Sequence, residues 1–166
     1  EALLATETHF WIGGQRGIMR RRADGEWERF GDATQVTGFA RGDGRIVWVG
    51  TTGGVWRVDG DTVEEHGVRS GLAAAHVLDI VPLGAERAFA LLRDADFAYI
   101  AYYDGARWTN YTLREFTPAV IGMGRSGGDV VLFTTTHGIR IADAATATGV
   151  GLVALSRGDR VQTLRY

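Results

Sequence analysis

Three features of the sequence predict an all-β protein built from a repeated four-stranded unit. Short runs of β-branched and aromatic residues alternate with glycine-rich turns, and the chain holds 24 glycines but only two prolines. No segment sustains the i, i+3, i+4, i+7 apolar spacing of an amphipathic helix. The unit recurs about every 41 residues. A period of this length with four strands per unit predicts a β-propeller of four blades, each with about four antiparallel strands.

The clearest copy of the unit runs from Arg45 to Gly60. Its first strand, 46–49, is β-branched and aromatic, as expected for a largely buried strand. A Thr-Thr-Gly-Gly turn follows, in which glycine permits positive φ. A second strand, 55–58, ends at Asp59-Gly60, which is a strong hairpin signal. This copy is the template for the rest of the chain.

The same pattern predicts strands along the whole chain. In the first unit, 10–13 and 17–20 match 47–50 and 54–57 of the template. The other predicted strands are apolar or alternating runs bounded by turn residues. They are 26–30, 36–39, 62–65, 77–80, 88–91, 97–103, 107–112, 120–123, 130–134, 138–141, 151–155 and 160–166.

Apolar pairs that open the units predict how the ring closes. They are Val36/Phe39, Val77/Ile80, Val120/Met123 and Val161/Leu164, at intervals of 41, 43 and 41 residues. From Val161 through the chain end and back to Val36 the interval is again 41. The C-terminal strand is therefore predicted to open the first blade and close the ring. The blades of this single domain, 1–166, are then 161–166 plus 1–31, 32–67, 68–113 and 114–156. The alternative is a sector of a larger propeller.

Charge and composition exclude several classes of function. The net charge is −2 and charges are interspersed, so we expect neither a nucleic-acid groove nor a polybasic membrane patch. No stretch approaches the roughly 18 apolar residues of a membrane-spanning helix. The absence of cysteine excludes disulfides and cysteine-based catalysis. Because the chain begins at Glu1, one interpretation is a processed or excised piece of a longer protein.

No pattern predicts catalysis, a metal centre or a cofactor. The four histidines, His9, His66, His76 and His137, lack metal-ligand spacing. No Gly-x-Ser-x-Gly motif frames a serine, and no glycine pair is followed by the Lys-Ser/Thr of a phosphate loop. We therefore expect a protein that is not an enzyme and that carries neither cofactor nor metal.

Tryptophans and arginines have mainly structural interpretations. The five tryptophans recur at equivalent positions, as residues that pack between blades do. Trp27 and Trp108 are the exceptions, since polar residues follow both. The one basic cluster, at 20–22, precedes an Asp-Gly turn and is interpreted as a solvated strand end.

The repeats resemble a known family. The segments WVGTTGGVWRVDG, DGEWERF and DGARWTNYT, with V-x-x-apolar openers, resemble the two-component-regulator-type propeller repeats of bacterial sensor proteins over essentially the whole chain. The resemblance implies a β-propeller sensor domain in a periplasmic or extracytoplasmic location.

Propeller geometry predicts where a ligand binds. Turns joining second to third strands, and the connections between blades, emerge on one face, and residues that differ between blades can make an asymmetric pocket there. The predicted ligand-binding residues are Gln15, Arg16, Thr51, Thr52, Arg69, His76, Arg93, Asp94, Thr136 and His137.

The sequence thus predicts a non-enzymatic sensory or interaction module. Its partner is a small molecule, a glycan or a protein, and the chain is a monomer or a ring-completing dimer. One alternative is a lectin-like propeller that stacks sugars on Trp27 and Trp108. The other is a propeller lyase or hydrolase built on His76, His137 and Arg93.

Overall fold

The protein has the all-β fold that the sequence predicts. Its structure is a computed structural model that describes residues 1–22, 24–31, 35–113, 120–126, 129–134, 138–141, 152–156 and 160–164. Among these residues there are three four-stranded sheets, one five-stranded sheet and no α-helix. Within each sheet, strands that follow one another in the chain pair antiparallel.

The strands divide among the sheets in chain order. The first sheet holds β1 (Ala2–Ala5), β2 (Phe10–Gly14), β3 (Gly17–Arg21) and β4 (Trp27–Arg29). The second holds β5 (Val36–Arg41), β6 (Ile46–Thr51), β7 (Val55–Asp59) and β8 (Thr62–His66). The third holds β9 (His76–Pro82), β10 (Ala88–Arg93), β11 (Ala98–Tyr103) and β12 (Trp108–Thr112). The fourth holds β13 (Val120–Ser126), β14 (Asp129–Thr134), β15 (Gly138–Ile141), β16 (Leu152–Ser156) and β17 (Arg160–Leu164).

Successive sheets stack through their first strands. β1 contacts β5, β5 contacts β9, and β9 contacts β13. Three apolar clusters fill the spaces between sheets. Trp11, Val47 and Val49 pack between the first and second, and Trp48 and Leu92 between the second and third. The third cluster, which includes Phe89 and Met123, packs between the third and fourth. Because every interface poses the same packing problem, the recurrence of large apolar residues in the sequence follows from the stack.

The predicted closure of the ring by the C-terminal strand is not what the structure shows. β1 opens the first sheet, with Leu3 opposite Ile12. β17 instead pairs with β16, with Val161 opposite Leu155, as the fifth strand of the fourth sheet. Residues 160–164 therefore do not belong to the first blade, and 165–166 lie outside the described residues. Pairing with a strand a few residues away closes a far shorter loop than pairing with the opposite end of the chain.

A buried arginine joins the first sheet to the second. Arg20 is only 3% exposed, and its guanidinium donates hydrogen bonds to Glu28 Oε1 (2.6 Å), the Gly60 carbonyl (2.8 Å) and Asp61 Oδ1 (2.6 Å). It also lies 4.3 Å from the centre of the Phe30 ring. The interpretation of this residue as part of a solvated strand end is therefore wrong, although its neighbours Arg21 and Arg22 are exposed.

The arginine at the matching position of the second sheet makes an equivalent link. Arg57 lies within β7 as Arg20 lies within β3, and it donates to the Ala85 carbonyl (3.0 Å) and Glu86 Oε1 (2.8 Å) of the third sheet's first turn. The repeat therefore carries a polar contact between sheets as well as an apolar one.

Candidate functional site

The predicted ligand-binding turns lie at the ends of the expected strands. Gln15 and Arg16 form the β2–β3 turn and are both exposed. Thr51 and Thr52 lie at the β6–β7 turn, and the Thr52 amide donates to the Gln35 carbonyl at 2.9 Å. This hydrogen bond joins the β6–β7 turn to the connection between the first two sheets. A turn within a sheet and a connection between sheets therefore lie next to each other here.

A cavity of about 720 Å³ opens beside the β2–β3 turn. The polar residues that line it are Glu1, Gln15, Arg16, Arg29 and Gln35, and Ile12 and Met19 add apolar residues. The volume falls within the range of roughly 300–1,000 Å³ typical of small-molecule sites. The Arg16 guanidinium and two amides offer several donors beside the one carboxylate, that of Glu1, and the planar guanidinium fork suits a carboxylate. The cavity can therefore hold a small polar ligand that bears an acidic group.

A second cavity, of about 310 Å³, contains Arg69. It lies between the β6–β7 turn and the turn Val68–Ser70, and its lining includes Gly53, Trp56 and His66. His66 is buried against Tyr103 and Trp108, with ring centres 4.7 and 5.6 Å away. Burial lowers the pKa of His66, so its neutral form is favoured in the folded protein.

His76 and Arg93 lie opposite each other at the ends of β9 and β10. Asp94 follows directly, but its carboxylate organises its own turn. It accepts hydrogen bonds from the Tyr99 hydroxyl (2.7 Å) and from the Phe97 and Asp96 amides (2.7 and 2.9 Å). The Tyr99 bond and then the two amide bonds lower the pKa of Asp94. Asp94 is thus used for turn geometry.

Thr51 has a similar structural role. Its side chain is buried, donates to the Gly54 carbonyl at 2.9 Å and accepts from the Gly53 amide at 3.0 Å. The described members of the predicted set therefore fall into separate groups along the loops, and Thr136 and His137 lie outside the described residues. Gln15 and Arg16 share the first cavity, Arg69 lines the second, His76 and Arg93 form a cross-strand pair, and Thr51 and Asp94 hold turns.

The tryptophans proposed as sugar platforms differ in exposure. Trp108 is 7% exposed and packs 5.0 Å from the Tyr103 ring, so its proposed stacking role is wrong. The segment before β9 lies over this strand, because Asn110 donates to the Gly71 carbonyl (2.7 Å) and accepts from the Ala73 amide (3.0 Å). Trp27 is 45% exposed, but it lies on the side of the first sheet that faces away from the stack.

A cavity that sequence reasoning missed opens at the other ends of the strands. It measures about 320 Å³ and is lined by residues of the first two sheets, including His9, Trp11, Arg20, Arg45 and Asp61. Its cations are paired: Arg20 with Asp61, and Arg45 with Asp59 through a 2.5 Å hydrogen bond. In the sequence, Arg20 and Arg57 occupy matching positions of the repeat. This match was the signal from which the contact between Arg20 and Asp61 could have been predicted.

The described residues contain no group of three or more His, Asp or Glu side chains that could hold a metal ion. In the same part of the chain, no helix is long and apolar enough to cross a membrane.

Comparisons with known proteins identify the fold. No family model and no curated protein matches the chain. Among solved structures, it is similar to the extracellular domain ascribed to a one-component system, BT4673 of B. thetaiotaomicron, with a TM-score of 0.67 and 13% identity. It is also similar to the extracellular domain ascribed to the hybrid two-component system BT4673 (TM-score 0.62, 14% identity) and to the N-terminal domain of Nup159 (0.53, 9%).

The fold is of the β-propeller type. The matches cover 98%, 100% and 99% of this chain but 27%, 22% and 47% of the respective neighbours. The chain therefore spans about a quarter of each BT4673 domain and about half of the Nup159 domain. At these identities the likeness shows the propeller fold alone.

Proposed function

We propose that this propeller is a non-catalytic binding module of a bacterial sensor protein, located outside the cytoplasm. In this proposal it takes a small, carboxylate-bearing ligand on its loop face. The cavity beside the Gln15–Arg16 turn is the observation that carries the proposal. The extracellular domains ascribed to BT4673 sensor systems support the sensory role by their similarity in fold.

The lining of the cavity favours an acidic ligand. Arg16 contributes a cationic donor, and the amides of Gln15 and Gln35 supply neutral donors and acceptors. Met19, 38% exposed, offers an apolar surface beside these groups. A guanidinium fork can hold the carboxylate of a ligand, while an apolar ring or chain of the same ligand packs against Met19. Such a ligand contacts both the polar and the apolar residues of the lining.

The geometry of the described residues supports binding rather than catalysis. Of the three residues considered for a lyase or hydrolase, His76 and Arg93 are cross-strand neighbours and His137 lies outside the described part of the chain. Asp94, the nearest carboxylate in sequence, is bonded within its own turn.

Calorimetric titration with glucuronate and with glucose tests this proposal. The two sugars share a ring and differ at the carboxylate, so we expect binding of glucuronate and much weaker binding of glucose. The double substitution Gln15→Ala/Arg16→Ala is expected to weaken glucuronate binding about tenfold or more, because one charge-assisted contact is worth about 1.5–3 kcal/mol.

Arg107→Ala provides the matched control. Arg107 is an exposed arginine on the β11–β12 turn, with an 82% exposed side chain, and its loss should leave binding unchanged. Equal affinity for the two sugars, or an equal loss in the control, would contradict the proposal.

A further inference from the structure

Aspartate is followed by glycine at four turns of the chain, and one of the four has a different environment. Each turn joins two strands of one sheet, and the pairs are 24–25, 43–44, 59–60 and 104–105. Glycine has no Cβ, so the amide nitrogen that follows the aspartate is open to attack on the aspartyl side chain. The surroundings of each carboxylate and each glycine therefore decide whether the folded protein allows this reaction.

The carboxylates of Asp24 and Asp59 are held by hydrogen bonds. Asp24 Oδ1 accepts from the Glu26 amide at 3.0 Å. Asp59 Oδ1 accepts from Arg45 Nε at 2.5 Å. Each carboxylate must break its bond before it can turn toward the amide of the next residue.

The carboxylate of Asp104 is held more firmly. Its Oδ1 accepts from the Ala106 and Arg107 amides, both at 2.9 Å. The bond from the Arg107 amide and then that from the Ala106 amide lower the pKa of Asp104. The carboxyl group thus stays ionised, and an ionised carboxylate is a poor electrophile.

Asp43 and Gly44, in the β5–β6 turn, lack these restraints. Both residues are exposed, and among the described residues neither the Asp43 carboxylate nor the Gly44 amide has a hydrogen bond or an ion pair. A Cβ placed on Gly44 would meet no atom within 4 Å. On Gly25 it would lie 3.3 Å from Arg21 Nη2, and the Gly25 amide also donates to a carbonyl. The β5–β6 turn therefore has both a free carboxyl group and room to rearrange.

We propose that Asp43 is a site of spontaneous isoaspartate formation in the folded protein. The Gly44 amide nitrogen attacks Cγ of the protonated Asp43 carboxyl group and loses its proton to solvent. The N–Cγ bond forms, a Cγ–O bond breaks and water leaves, which gives a five-membered succinimide. Water then opens the ring, and attack at the former main-chain carbonyl leaves the chain running through Cγ. One water is lost and one is gained, so the mass is unchanged and no oxidant or reductant is needed.

The product alters a turn that is closed by two backbone hydrogen bonds. The Ile46 amide donates to the Asp43 carbonyl at 3.3 Å, and the Gly42 amide donates to the Ile46 carbonyl at 3.0 Å. In the isoaspartyl form that Asp43 carbonyl becomes a free carboxylate, and one methylene enters the main chain. The β5–β6 turn lies at the opposite ends of the strands from the Gln15–Arg16 turn. The modification is therefore independent of ligand binding in the first cavity.

Ageing of the full chain at pH 6 and 37 °C tests the proposal. Chymotrypsin releases residues 40–48 with Asp43 inside, and electron-transfer fragmentation distinguishes isoaspartate from aspartate. We expect isoaspartate to accumulate at Asp43 about fivefold faster or more than at Asp24, Asp59 or Asp104, because a hydrogen bond must first break at each of these three. Equal or faster accumulation at any of the three, or none at Asp43, would overturn the proposal.

The same ageing in concentrated urea separates the effect of the structure from that of the sequence. All four sites are Asp-Gly, so their rates should converge once the chain is unfolded. If Asp43 kept the same advantage in urea, neighbouring residues rather than the fold would set the order, which contradicts the proposal.

Labelling by an isoaspartate-specific carboxyl methyltransferase provides a second measurement. The aged wild type should accept methyl groups, and Asp43→Glu should lose most of this label because glutamate would have to close a less favourable six-membered ring. Asp104→Glu is the matched control and should be labelled as the wild type is. Equal labelling of the Asp43→Glu and wild-type proteins would place the modification elsewhere and contradict the assignment.

Discussion

Replacing Arg20 by methionine tests the polar contact between the first two sheets. The substitution keeps an unbranched apolar stem against Phe30 but removes the guanidinium, and with it the hydrogen bonds to Glu28, Gly60 and Asp61. Because Arg20 is only 3% exposed, no water replaces these bonds without opening the interface. We therefore expect a lower free energy of unfolding for Arg20→Met.

The structure sets the size of the effect. Bonds to the half-buried Glu28 and to the Gly60 carbonyl are worth about 1 kcal/mol each. The bond to Asp61 adds little, since that side chain is 85% exposed and screened by water. The guanidinium 4.3 Å from the Phe30 ring centre adds about 1 kcal/mol. We expect a loss of about 3 kcal/mol, a large share of the roughly 5–15 kcal/mol typical of a folded domain.

Urea unfolding followed by tryptophan fluorescence measures this loss. Arg45→Met is the matched control, because Arg45 makes one ion pair, with Asp59, from a side chain that is 73% exposed. Its substitution should cost less than about 1 kcal/mol. The reasoning would be refuted if Arg20→Met unfolded within 1 kcal/mol of the wild type, or if the control lost as much.

Three further substitutions probe other parts of the structure. Arg57→Met should lower the free energy of unfolding by about 1 kcal/mol in the same assay, since it removes the hydrogen bond to the Ala85 carbonyl. The bond to Glu86 adds little because that side chain is 67% exposed. An unchanged free energy of unfolding would mean that the repeated contact is not stabilising. Gly54→Ala should cost about 2–3 kcal/mol, because φ is +142° and a Cβ would clash with the His66 carbonyl; an unchanged thermal midpoint would contradict this. The lowered pKa of His66 means that the unfolded chain binds its proton first, so stability should fall as the pH drops below about 6.5. His66→Phe should flatten that loss between pH 7.5 and 5.5, and an identical pH profile in the variant would exclude His66 as its source.

The sequence predicted the strands because local chemistry defines where they end. The Asp59-Gly60 pair indicated a hairpin, and Gly60 has φ of 63° in the β7–β8 turn. The first strand was missed because Ala2–Ala5 has no β-branched residue, so only its pairing with β2 identifies it. Without that strand, the matching interval at the chain end favoured closure by the C-terminal segment.

Burial of polar and aromatic side chains could not be predicted from their sequence neighbours. Trp108 is followed by polar residues, yet it is covered because Asn110 holds the segment at Gly71–Ala73 over β12. Arg20 is buried by a turn some 40 residues further along the chain. Both depend on contacts between sheets, which a local pattern does not contain.

Repeat geometry located the candidate site only at the level of turns. It placed Gln15 and Arg16 at the β2–β3 turn, where the first cavity opens. It did not indicate that Asp94 and Thr51 are bonded within their own turns, because Asx-type and threonine turns use side chains that also suit ligands.

Binding at the Gln15–Arg16 cavity can be measured most directly by titrating the isotopically labelled chain with glucuronate and following backbone amide resonances. Binding at this site predicts saturable shifts of the amides in 12–19, at Arg29 and at Gln35, the residues that line the cavity. Glucose should leave these amides nearly unchanged. The account would be contradicted by saturable shifts centred on the opposite turns, at 42–45 and 60–61, or by the absence of saturable shifts with glucuronate.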